Sequence, residues 1–140
     1  LSFTGNFSCN TLRAGLANAS INLTTDTFYL ALYTNAATLS QTTTEYTTTG
    51  EATGGDYVAG GLVVTATVSS EPTSSGSVTY VSFTSPAWTG SITARGALIY
   101  KAGANGAICV LDFGNDKTST NSFTVTMPAN TSTSALIRLI

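Results

Sequence analysis

Histidine is absent from this chain, and charge is nearly so: Asp, Glu, Lys and Arg together supply 9% of the 140 residues. Without an imidazole a serine triad has no base, and a transition metal loses its commonest nitrogen ligand. The two cysteines, Cys9 and Cys109, lie far apart and form no CxxC spacing. Neither a zinc site nor a disulfide framework is expected from them. Cys109 falls within the apolar run Ala107–Phe113, where a small buried hydrophobe is the ordinary reading.

The five basic residues, Arg13, Arg95, Lys101, Lys117 and Arg138, are scattered, and the net charge is −2. Such a chain has no basic patch for a phosphate backbone or an anionic lipid surface, so neither nucleic acid nor membrane is an expected partner. No apolar run approaches the roughly 18 residues of a membrane span. The opening residues lack the basic-then-apolar order of a signal peptide.

What is present is hydroxyl: close to a third of the residues are Ser or Thr. These residues separate short segments in which apolar and polar side chains alternate, the period of a strand with one face buried. At this length one domain is the default. The reading is an all-β fold, an antiparallel β-sandwich of jelly-roll type. A short N-terminal helix or arm occupies residues 1–22 and a single sandwich domain residues 23–140.

Helical character is confined to Leu1–Ser20, where Leu12 and Leu16 share a face and Ser8 is placed to cap. Phe28–Thr34 is apolar on both faces, which predicts a central strand covered on both sides. Further strands are expected at Leu62–Ser69, Val78–Thr84, Ser91–Lys101, Ala107–Phe113, Ser122–Met127 and Ala135–Ile140. Gly96 marks a bulge in one of them. Turns are expected at Glu71–Gly76, Ala102–Gly106 and Gly114–Lys117. Between the first two strands runs a long polar stretch, Asn35–Gly61. A loop of that length in a small domain is functional or interface-forming, and an edge strand is expected around Tyr46.

Seven carboxylates are available for chemistry: Asp26, Glu45, Glu51, Asp56, Glu71, Asp112 and Asp116. A two-carboxylate glycosidase is the enzyme class this inventory most readily permits, with Glu45, Glu51 and Asp56 sharing the long loop with Tyr46 and Tyr57. The favoured reading is a solvated loop whose acids cap turns, because a Thr- and Gly-rich loop offers its acids little rigid support. No spacing resembles a calcium loop. No catalytic residue, cofactor or metal site is assigned, and the chain is read as a non-enzyme. Tyr46, Tyr57 and Trp88 are candidates for a carbohydrate platform, although a lone Trp more often plugs the end of a sandwich.

Four segments are familiar as a set: Tyr29–Thr34, Thr48–Glu51 with Gly55–Gly61, Thr93–Tyr100, and Val110–Gly114. In order and spacing they resemble a family of small virion proteins of tailed bacteriophages, over about Phe28 to the C-terminus. The resemblance implies a capsid decoration, or cement, protein that binds the major capsid protein on the capsid exterior and assembles in the host bacterial cytoplasm. By the same analogy it implies a homotrimer. The N-terminal segment is nearly neutral, where the family has a more charged helix. Leu1, Phe3, Phe7, Tyr46, Tyr57 and Trp88 are the candidate contact residues. The alternatives are a tail, fibre or collar component, or a carbohydrate-binding module using Tyr46, Tyr57 and Trp88.

Overall fold

The structure, a computed structural model, describes Phe3 and residues 5–139. A two-residue strand β1 (Phe7–Ser8) leads into the helix α1 (Asn10–Ala17), and β2 (Phe28–Tyr33) follows. After the long loop come β3 (Leu62–Val64), β4 (Ala66–Thr73), β5 (Gly76–Phe83) and β6 (Ala87–Thr89). The chain closes with β7 (Thr93–Lys101), β8 (Ala107–Thr118), β9 (Ser122–Thr124) and β10 (Ile137–Leu139).

A five-stranded antiparallel sheet, in the order β1-β8-β7-β2-β3, faces a three-stranded sheet, β10-β5-β4. The pair β6-β9 closes one end. This is an all-β sandwich with a short N-terminal helix. Its strand order departs from a jelly roll, in which eight strands form two Greek keys. Here the hairpins β4-β5 and β7-β8 each stay within one sheet, and the chain crosses from the large sheet to the small one at Thr65, between β3 and β4.

Period-2 alternation divides the large sheet into two faces. On the inner face Leu30, Ile99 and Cys109 lie side by side, as do Leu32, Ala97 and Leu111. They pack against Val81 and Phe83 of β5 and Ile137 of β10. The outer face carries Tyr29, Ala31, Tyr33, Leu98, Tyr100 and Val110 in a second cluster. Five of the six β2 side chains are buried, as a strand covered on both sides requires. The loop 35–61 and the N-terminal segment supply the outer cover, through Ala37, Leu39, Tyr46, Phe3 and Phe7.

Glycine permits two close approaches on which this packing depends. Gly61 has φ +80° and lies so near the Leu30 carbonyl that a Cβ there would collide with it. Gly96 leaves room for the Phe3 ring; the register shifts beside it, between Ala94 and Gly96, but the extra residues lie on β8, at 113–116, and not at Gly96 as expected. Phe3 is consequently 2% exposed, a member of its own chain's core. The N-terminal segment is thus packed on the sandwich and does not extend as a free arm. Leu1 lies outside the described residues.

Other boundaries moved for local reasons. The helix is capped at Cys9, whose side chain makes no capping bond, and Ser8 instead accepts from Arg13. Leu12 is buried, and Leu16 packs against the same core. Strand β8 extends past the expected turn at Gly114–Lys117: residues 113–116 bulge out opposite Arg95, with Gly114 at φ +87°, and Lys117 and Thr118 then pair with Ala94 and Thr93. The hairpin β4-β5 tightens the expected Glu71–Gly76 turn to Ser74 and Ser75, with Pro72 on the edge strand, where its missing N–H is tolerated. Tyr46 sits in the loop outside any strand. Cys9 and Cys109 are free and buried.

Two substitutions test this packing. Phe3→Ala should lower the unfolding free energy by about 3–5 kcal/mol, the usual effect of emptying a buried aromatic site. Gly61→Ala should destabilise on the order of 2 kcal/mol, because the residue is strained and the Leu30 carbonyl obstructs it. Urea unfolding of the three proteins measures both. A Phe3→Ala midpoint equal to that of the parent would return the segment to a free arm.

Candidate functional site

Loop 35–61 holds the densest polar constellation of the molecule, and Glu51 is its hub. One carboxylate oxygen, Oε1, accepts from the Tyr46 hydroxyl at 2.6 Å. The other, Oε2, accepts from the Tyr57 hydroxyl at 2.6 Å and from the Gly60 amide at 2.8 Å. The Tyr57 oxygen itself accepts from the Leu32 amide at 3.0 Å, which ties the hub to the central strand. An isolated bridge between Tyr33 and Glu51 fixes the backbone beneath. Bonds of phenols to an ionised carboxylate are short and strong, and here they join positions 46, 51, 57 and 60.

The tyrosines around this hub complete the cover of the outer sheet face. Tyr100 stacks on Tyr29 across β7 and β2, with centroids 5.6 Å apart, and on Tyr46 at 4.9 Å. Its hydroxyl donates to the Gly60 carbonyl at 2.7 Å, and the Tyr33 hydroxyl donates to the Thr47 carbonyl at 2.7 Å. Beside the stack is a shallow groove of about 340 Å³, walled by Ala59–Gly61 and by Ala102 and Gly103.

Burial and the Glu51 charge both favour the neutral phenol. Burial, then the bond to Glu51, pushes the Tyr46 and Tyr57 hydroxyls far above their usual range. Burial raises Tyr33 in the same way. Tyr100 is pushed up to about 12 by burial and then by the Glu51 charge. Burial also raises the Cys9 thiol to about 11 and pushes the Cys109 thiol up, so neither is a ready nucleophile.

The remaining acids hold other parts of the chain in place. Asp56 accepts from the Thr89 amide at 2.8 Å and its hydroxyl at 3.0 Å, pinning the loop to β6. Asp112 pairs with Arg95 at 3.2 Å beside the β8 bulge. Asp26 is held below the usual carboxylate range by the Asn22 amide and then by Lys101, at 2.9 Å. Glu71 accepts from Tyr80, and Asp116 from Asn35. Only Glu45 makes no such bond among the described residues. The described residues contain no group of three His, Cys, Asp or Glu side chains able to hold a metal ion.

The aromatics named from the sequence are brought together differently from a sugar platform. Tyr46 and Tyr57 meet at opposite oxygens of Glu51. Tyr57 and Trp88 are neighbours, but their planes are tilted by 49°, and Trp88 is 2% exposed. Trp88 packs with Phe123 and Ile92 at the closed end of the sandwich, so it presents no face to a partner. Phe7 is half-buried beside Val110. Sequence reasoning missed Glu51 as the organiser and Tyr29 and Tyr100 as the stack. The signal was there in part: one acid flanked by Tyr46 and Tyr57, and two tyrosines each on an expected strand.

No protein-family model matches this chain, and no curated protein or solved structure gives a significant match.

Glu51→Ala should lower stability by on the order of 3 kcal/mol, because it leaves two phenols and an amide without their acceptor. Hydrogen exchange should quicken across 35–61 before it does in β7 and β8. A uniform change along the chain would show that Glu51 does not organise this layer. The raised phenols also set an alkaline limit. Above a pH of about 10 the unfolded chain releases phenolic protons that the folded chain keeps, so stability should fall as pH rises from about 10 to about 12. Phenolate absorbance should show these tyrosines titrating only as the fold is lost.

Proposed function

We propose that this chain is a non-enzymatic structural component of a bacteriophage particle, a decoration protein that binds the major capsid protein and stabilises the shell. The observation that carries this reading is where the polar groups go. Six of the seven carboxylates bind groups of their own chain. The tyrosines of the candidate site bind Glu51, backbone carbonyls and one another. What remains outside is a hydroxyl-rich, weakly charged surface with exposed aliphatic side chains. Such a surface suits close packing of many copies, since neighbours carry little like charge to repel.

The four segments that resemble tailed-phage virion proteins support the same reading, because they build its central features. Tyr29–Thr34 is the doubly covered strand, and Thr48–Glu51 with Gly55–Gly61 is the Glu51 layer. Attachment then falls to the exposed strand edges and loop surfaces, because Phe3 is committed to the core. Repetition over a shell turns a modest contact per copy into strong attachment.

Imaging of purified particles tests the reading. The expected result is this chain in regular array on the outside of the head, with particles lacking it releasing their genome at lower temperature. Density on the tail, fibre or collar would move the protein to another virion role. Absence from purified particles, or hydrolysis of a polysaccharide by the purified chain, would overturn the proposal.

A further inference from the structure

Among the described residues, four of the five large apolar side chains left exposed, Val58, Leu62, Val63 and Val68, lie on or just before one edge of the molecule. That edge is a single stretch of chain. Strand β3 borders the large sheet and β4 the small one, and the chain passes between them at Thr65, whose carbonyl accepts from Thr84. Among the described residues β3 pairs only with β2 and β4 only with β5, so the outward side of Leu62–Thr73 offers unpaired backbone groups. Protein edges are usually blunted by charge. Here no charged residue occurs between Asp56 and Glu71.

We propose that this edge is the contact between two copies of the chain, paired antiparallel about a two-fold axis at Thr65. The side-chain pattern favours a second copy over an unrelated strand. Leu62, Val64, Ala66 and Val68 stand opposite Leu30, Phe28, Phe83 and Val81, so all four point to the inter-sheet side. A two-fold at Thr65 sets Leu62 of one copy against Val68 of the other, and Val64 against Ala66. Leu62 and Val68 are 39% and 37% exposed, and in this register each covers the other. A self-complementary patch of this kind closes after two copies. Each large sheet then continues into the small sheet of its neighbour.

Charge and size agree with that occupant. Two neutral edges meet without repulsion, whereas a charged strand would find no counter-ion here. About nine paired residues extend roughly 30 Å. A contact confined to one strand edge belongs to the small class of interfaces, those below about 1,200 Å² in total, so the dimer is of modest affinity. This inference does not rest on the virion reading, because it concerns the purified chain alone.

Sedimentation of the purified protein over a range of concentrations is the test. The expected result is a monomer–dimer equilibrium. Leu62→Lys and Val68→Glu should each weaken it about tenfold or more, with circular dichroism unchanged. The double variant sets the new cation against the new anion across the axis and should recover most of the lost affinity. Val63→Lys, pointing away from the inter-sheet core, should also weaken association and keeps the test open if either other variant misfolds. A monomer at all concentrations would overturn the proposal. So would a trimer, a dimer indifferent to these changes, or a double variant no better than the singles.

Discussion

A strand with apolar side chains on both faces needs two covering layers, and β2 obtains its second layer from a loop. Leu30 and Leu32 point to the small sheet, while Ala31 and Tyr33 point the other way, and all four are fully buried. The inner cover is ordinary sheet-on-sheet packing. The outer cover is built from a Thr-rich segment with little apolar material of its own. Such a layer holds only if its polar groups find partners when water is removed. Glu51 meets that need. Its two oxygens bind two phenols and an amide at once, and Tyr57 passes the connection to the Leu32 backbone.

The same constraint commits these polar groups to the fold. A carboxylate that accepts three hydrogen bonds and neutral phenols with strongly raised pKa values form a rigid fastening. Asp56, Asp112 and Asp26 repeat the pattern at the loop–β6 junction, the β8 bulge and the segment before β2. In a chain with so few charges, binding most of them internally leaves the exterior to hydroxyls and a few aliphatic side chains. The proposed virion role and the proposed two-fold contact both draw on that exterior, by separate lines of reasoning.

Much of the architecture was legible because strand periodicity is a local property. The alternation in Phe28–Thr34, Val78–Thr84 and Ala107–Phe113 marks strands and their faces before any partner is known. Polar strand ends were less legible: Gly114–Lys117 has the composition of a turn, and residues 113–116 do bulge out opposite Arg95, yet Lys117 and Thr118 return to pair with β7. The long loop was recognisable as important from its length alone. Its role as a layer was hidden, since its decisive bonds join residues whose proximity depends on the completed sheet.

The sequence alone determined the all-β class, the doubly apolar central strand and the absence of any imidazole. These follow from composition and from spacing over a few residues. Tertiary structure decided that Phe3 is core, that Trp88 closes an end of the sandwich, and that Glu51 gathers Tyr46 and Tyr57. It also decided which strands lie at the edges. Each of those facts is a contact between distant parts of the chain, settled by which partners can fill a given volume or satisfy a given donor.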